Sequence, residues 1–214
     1  MQRTGLFDRD VCLKLAWCGL WDEVLLALEI THPYRLASCT SGESNRKVLR
    51  RQLGDGTVLE QAMSQLQDMV AATPVIPDSL TATVREDYIL KDLEGIPAVD
   101  GGEALLTAIV LAAQEPTTLI SGDKRFFNAL RKERPQVWEA VESRLLSLER
   151  CLLAVIQVRG AAFVIERVRP VAACDSTLAL ALGSGPECQE ASFIEALISF
   201  DPLKQAKGAT SDSR

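Results

Sequence analysis

Asp100-Gly101-Gly102-Glu103 opens a stretch that runs on through Ala104-Leu105-Leu106-Thr107-Ala108-Ile109-Val110-Leu111-Ala112-Ala113. The stretch breaks at Pro116, then continues as Thr117-Thr118-Leu119-Ile120-Ser121-Gly122-Asp123 into Lys124-Arg125-Phe126-Phe127-Asn128. Residues 104–113 are apolar almost all round, which predicts a helix buried between layers. Glu103 falls in its first turn, where a carboxylate meets the positive end of the helix dipole. Residues 117–120 read as a short buried strand. Ser121-Gly122-Asp123 then turns out of that strand into another helix. The order helix, strand, acidic turn, helix puts Asp123 at the C-terminal edge of a strand, where open parallel sheets hold their ligands.

Working outward, the 214 residues suffice for one domain with a real core plus additional pieces. The chain is 47% hydrophobic and 24% charged, the balance of an ordinary globular protein. Its net charge of −6 speaks against tight non-specific duplex binding, which needs many phosphate contacts, but leaves room for a local basic patch. Six cysteines include no CxxC pair, and with a single histidine they offer no zinc spacing. They read as reduced core thiols of a cytoplasmic protein. The N-terminus has no secretory apolar region, and no apolar run is long enough to span a membrane.

Thr4-Gly5-Leu6-Phe7 predicts a first strand ending at Asp8, followed by a helix carrying Val11, Leu15 and Cys18 and closed by Gly19. Trp21, Val24, Leu25 and Leu28 mark a second helix with Asp22 and Glu23 in its first turn. His32 and Pro33 read as a break, and residues 34–40 as a second strand. Ser41-Gly42-Glu43-Ser44 leads into a helix with Val48, Leu49 and Leu53 on one side and Arg46, Lys47, Arg50 and Arg51 on the other. Thr57 and Glu60 fit a capping box for the helix that follows. Residues 73–77 read as a linker, 79–93 as short helices and 96–99 as an extended piece. Pro135 suits the first position of a helix carrying Val137, Trp138 and Val141. Residues 145–148 predict a last strand, with a helix from about 149 to 158. Phe163-Val164-Ile165 suggests an appended strand, residues 193–200 a helix, and the polar tail after Lys204 disorder. Tryptophans 17, 21 and 138 lie on helical patterns and are expected in the core.

Alternating strands and helices argue for an α/β layered fold with a mostly parallel sheet over residues 1–158, an extension over 159–204 and a tail over 205–214. In such a fold Asp8, Glu43, Glu103 and Asp123 each follow a strand or open the next helix, so they come to one edge. Clustered carboxylates repel one another unless a cation neutralises them or one keeps its proton. Mg²⁺ and Mn²⁺ take such oxygen ligands, lower the pKa of a bound water and stabilise charge on a phosphoryl group. That is the chemistry of phosphodiester hydrolysis.

Leu6-Phe7-Asp8-Arg9-Asp10-Val11, Gly102-Glu103-Ala104 opening an Ala-rich helix, and Leu119-Ile120-Ser121-Gly122-Asp123-Lys124 together resemble PIN domains over residues 4–150. The resemblance implies a three-layer α/β/α sandwich and a Mg²⁺- or Mn²⁺-dependent nuclease, usually acting on RNA. Many members are toxins held by an antitoxin, so an antitoxin-like protein partner is implied as a possibility, and a homodimer is compatible with the fold class. By position, Asp8, Glu103 and Asp123 resemble the family's metal ligands. Glu43 is the candidate for its remaining acid, as a further ligand or a water-orienting base. Ser121 stands where a small hydroxyl residue supports the metal site. Lys124, Arg46 and Arg50 are candidates to hold flanking phosphates.

Two other readings compete. Asp8-Arg9-Asp10-Val11 also resembles the Asp-x-Asp start of haloacid-dehalogenase-type phosphatases, with Asp8 as nucleophile and Asp10 as acid/base. A helix that follows at once leaves no room for that family's flap, and residues 124–132 supply no further acid. The chain could instead be a nucleic-acid- or protein-binding module on the same fold with an impaired site. A basic side chain lying across the acidic cluster would favour that reading.

Overall fold

Leu6 and Phe7 point to opposite faces of a parallel sheet, and each belongs to its own core. The structure is a computed structural model and describes residues 3–185 and 188–204. β1 (Thr4–Phe7) leads into α1 (Arg9–Trp17) and α2 (Trp21–Ala27), then β2 (His32–Arg35). α3 (Glu43–Leu53), α4 (Thr57–Ala72), α5 (Asp78–Ala82), α6 (Tyr88–Glu94) and α7 (Gly101–Ala112) follow before β3 (Thr117–Ser121). α8 (Lys124–Glu133) and α9 (Pro135–Val141) precede β4 (Leu145–Ser147). The last helices are α10 (Leu148–Arg159), α11 (Ala161–Val168), α12 (Ser176–Leu182) and α13 (Glu190–Phe200).

The four strands run parallel in the order β2-β1-β3-β4. Leu6 pairs with Leu119, which pairs with Leu145, and this row faces a core built from α6, α7, α8 and α9. Phe7 pairs with Ile120, which pairs with Leu146, and that row faces α1, α2, α4 and the C-terminal helices. The alternation along two-residue steps thus produces helix, sheet and helix layers, the α/β/α sandwich expected. Val75 adds an isolated bridge to Arg35 at the β2 edge. No helix among the described residues is long and apolar enough to cross a membrane.

Four local expectations need correction. β2 begins at His32 and ends at Arg35. Pro33 is tolerated because β2 is an edge strand, where a missing N–H breaks no inner ladder. Arg35 donates to the carbonyls of Thr73, Cys39 and Val70 and so anchors the turn over residues 36–40 that ends the strand. The helix at Thr57 is capped by Gly56 without a side-chain bond, and Glu60 pairs with Arg46 instead of closing a box. Residues 96–99 form a turn. Phe163, Val164 and Ile165 lie in α11, whose buried Ala161, Val164, Ile165 and Val168 recur at helical spacing.

The C-terminal helices are integral to the sheet's second face. Phe193 and Leu197 are fully buried in the same cluster as Phe7, Ile120, Cys151 and Leu152. Beyond α13, the buried Asp201 accepts from Ser147 Oγ at 2.9 Å, Arg150 Nε at 2.7 Å and the Leu203 N–H at 3.0 Å. That carboxylate fastens the end of α13 to the junction of β4 and α10. Residues 205–214, expected to be a disordered tail, lie outside the described residues.

Candidate active site

Because all strands are parallel, the ends of β1 and β3 and the start of α7 meet at one edge of the sheet. There a cavity of about 400 Å³ is lined by Asp8, Arg9, Asp10, Asp100, Glu103, Gly122, Asp123 and Arg125. Five carboxylates and two guanidinium groups therefore share one opening.

Asp8 holds the N-cap position of α1 but closes no side-chain cap bond, so its carboxylate is left for the cavity. Its backbone N–H donates to Ile120 O at 2.9 Å, tying it to β3. Burial, aided by the Asp100 and Asp10 charges, raises its pKa from 3.8 to about 6, against the opposing N–H groups of Arg9 and Asp10.

Asp100 and Glu103 form the capping box of α7. Asp100 Oδ1 accepts from the Glu103 N–H at 2.8 Å, and Glu103 Oε2 accepts from the Asp100 N–H at 3.1 Å. Gly102 allows this turn to lie against Leu36, whose Cδ1 would stand 2.8 Å from any added Cβ. Glu103 is buried, and burial together with the Asp8, Asp100 and Asp123 charges raises its pKa from 4.5 to about 8. One carboxyl group thus both starts the buried helix and sits in the acidic cavity.

Asp123 caps α8, accepting from the Arg125 N–H at 2.7 Å. The Arg125 guanidinium also donates to it, from Nη2 at 2.9 Å. Burial opposes its charge, but the bonds from Arg125 outweigh that and hold its pKa below the ordinary 3.8. The buried Ser121 spends its Oγ inside the turn, accepting from the Asp123 N–H at 3.2 Å, and does not line the cavity.

Several expected partners are not brought together. Glu43 is exposed at the start of α3 and lies outside the cavity lining; the inward residue of that turn is the buried Asn45. Asn45 Oδ1 accepts from Arg9 Nη2 at 3.3 Å, so α3 reaches the cavity wall through an amide. Arg46 pairs with Glu60, Arg50 pairs with Asp55 at 2.7 Å, and Lys124 pairs with the buried Glu149 at 3.2 Å. The cations that line the cavity are Arg9 and Arg125, which the motifs did not single out. Asp10 was read only as the acid/base of the phosphatase alternative, and Asp100 only as the residue that opens the stretch before the buried helix. The Asp-x-x-Glu spacing was the available sign that Asp100 caps this helix.

The donor set is carboxylate oxygen throughout, which suits Mg²⁺ or Mn²⁺ rather than a softer ion. Among the described residues no three His, Cys, Asp or Glu side chains are grouped closely enough to hold an ion as they stand. The carboxylates line an open cavity rather than form a closed cage. Compared with family models, with curated proteins and with solved structures, the chain matches none.

Proposed function

We propose that this protein is a divalent-metal-dependent nuclease of the PIN type that hydrolyses phosphodiester bonds, with RNA as its substrate class. The observation that carries this reading is the convergence of Asp8, Glu103 and Asp123, from three separate elements, on one cavity at the carboxyl edge of a parallel sheet. Two of these groups have pKa values raised to about 6 and about 8 by burial and mutual repulsion, the electrostatic condition that a divalent cation relieves.

Asp8, Glu103 and Asp123 would hold the ion, with Asp100 as a further oxygen donor. When bound, it supplies an acidified water and neutralises charge on the phosphoryl group. To act as ligands Glu103, and below about pH 6 also Asp8, would have to give up a proton. Asp123 would exchange its bond from the exposed Arg125 guanidinium for the ion. Arg9 and Arg125, the cations of the cavity lining, would hold the phosphates on either side of the scissile bond. Asp10 stands on the cavity wall to accept a hydrogen bond from the attacking water. α1 begins at Arg9, directly after Asp8, so no flap separates the two elements as a haloacid-dehalogenase-type phosphatase would require.

A second reading, a binding module on this fold with an impaired site, is favoured by one observation: Arg125, in the cavity lining, donates to Asp123 and so occupies one of the cavity's carboxylates. Purified protein incubated with single-stranded RNA and DNA oligonucleotides in Mn²⁺, Mg²⁺ or chelator separates the two. Metal-dependent cleavage that is lost in Asp8→Asn and Asp123→Asn supports the nuclease. Wild-type protein that neither cleaves nor binds Mn²⁺ by calorimetry supports the binding module.

A further inference from the structure

Lys14, in the last turn of α1, carries two carboxylates on one ammonium. Its Nζ lies 2.5 Å from Asp10 Oδ2 and 2.6 Å from Asp175 Oδ2. The Lys14 and Asp175 side chains are only 15% and 11% exposed, whereas Asp10 is 51% exposed and lines the acidic cavity. Asp175 is itself fixed, because its Oδ1 accepts from the Leu178 N–H at 2.8 Å as the N-cap of α12. On the other side, Asp10 Oδ2 rests 3.4 Å from the point a Cβ at Gly122 would occupy, against the turn that presents Asp123.

Two carboxylates on one largely buried cation leave a net negative charge beside a cavity already crowded with acids. Partly desolvated charge of that kind is a poor source of stability. It does fix direction: the rigid cap on α12 holds Lys14, and Lys14 holds Asp10. We infer that Lys14 and Asp175 are positioning residues that hold Asp10 on the cavity wall as the acceptor for the attacking water. The C-terminal segment thereby becomes part of the site's machinery. This rests on the nuclease reading of the cavity.

The test uses the full chain, with kcat and KM for Mn²⁺-dependent RNA cleavage, Mn²⁺ affinity by calorimetry and thermal melting of each variant. Lys14→Met is expected to lower kcat by roughly 10–100-fold while KM and Mn²⁺ affinity stay within about threefold, the pattern of a supporting residue that touches no ligand. Lys14→Arg should recover most of the loss. Asp10→Asn should lower kcat to a similar extent, and Lys14→Met added to it should cost nothing more, since both act through one group. Should Lys14→Met melt too low to assay, Asp175→Asn, which keeps an N-cap side chain, takes its place in the same comparison. A folded Lys14→Met with wild-type kcat, or losses that multiply in the double variant, would overturn the positioning role while leaving the nuclease intact. Wild-type protein inactive in every metal would instead remove the nuclease reading, and the positioning role with it.

Discussion

Replacing Glu103 with Gln should make the metal-free protein more stable at neutral pH while abolishing the metal-dependent cleavage proposed for it. Glu103 is buried, and its pKa stands at about 8 against an ordinary 4.5. A folded-state pKa raised in this way means that the folded protein binds more protons than the unfolded chain above pH 4.5. Stability from this group is therefore complete below about pH 4.5 and is lost as pH rises towards about 8. The full shift corresponds to at most roughly 5 kcal/mol. Relaxation and entering water reduce that, so about 2 kcal/mol is expected at pH 7.5. For a chain of this length, each kcal/mol moves the Tm by about 2–4 °C, so a rise of about 4–8 °C should be visible in a melt. Gln keeps an oxygen to accept the Asp100 N–H, so the capping box survives the change. Melts of both proteins in chelator, from pH 4 to pH 8.5, should coincide at the acid end and diverge above it. Mn²⁺ should then raise the Tm of the wild type and leave Glu103→Gln unmoved. A Tm difference constant across pH, or a variant less stable at pH 7.5, would refute the electrostatic account of this site.

Asp201→Ala should lower stability by about 2 kcal/mol, seen in chemical denaturation, because Arg150, Ser147 and the Leu203 N–H all lose one acceptor. Lys124→Met should destabilise the fold, with a larger Tm loss at pH 8 than at pH 5, since Glu149 is left buried without its cation until it takes up a proton. Arg125→Met should shift the melting curve little, since the Arg125 side chain is 84% exposed and the Asp123 cap bond from the backbone remains, and on the nuclease reading should weaken binding of an RNA oligonucleotide by filter retention.

The parts of the fold that were readable in the sequence are those with a single strong period. Residues 104–113 could only be a buried helix, and Leu119-Ile120 between Pro116 and Gly122 could only be a short inner strand. Asp8 and Asp123 were legible for a related reason, since each closes a strand and opens a helix. Glu43 was misplaced by rotation: two positions along a helix turn a side chain by about 200°, and the buried Leu49 sets the face so that Asn45 points inward. Arg46 and Lys124 were misread because their partners are remote in sequence, whereas Arg50 pairs with the nearby Asp55. Nothing local to Arg46 announces Glu60, and nothing local to Lys124 announces Glu149. Residues 193–200 were read correctly as a helix, but α11 and α12 were not, because their apolar residues are divided among short segments around Pro170 and Gly183. No one segment shows the face that all of them build together.

The edges of the sheet bear on how this protein behaves at high concentration. β2 is an outer strand of only four residues with Pro33 inside it, and Val75 bridges to its last residue. β4, on the opposite side, is three residues long. Neither border offers a long unbroken row of backbone donors on which another chain could crystallise a strand. Growth of the sheet from molecule to molecule, the usual start of fibrils, is thus resisted at both ends.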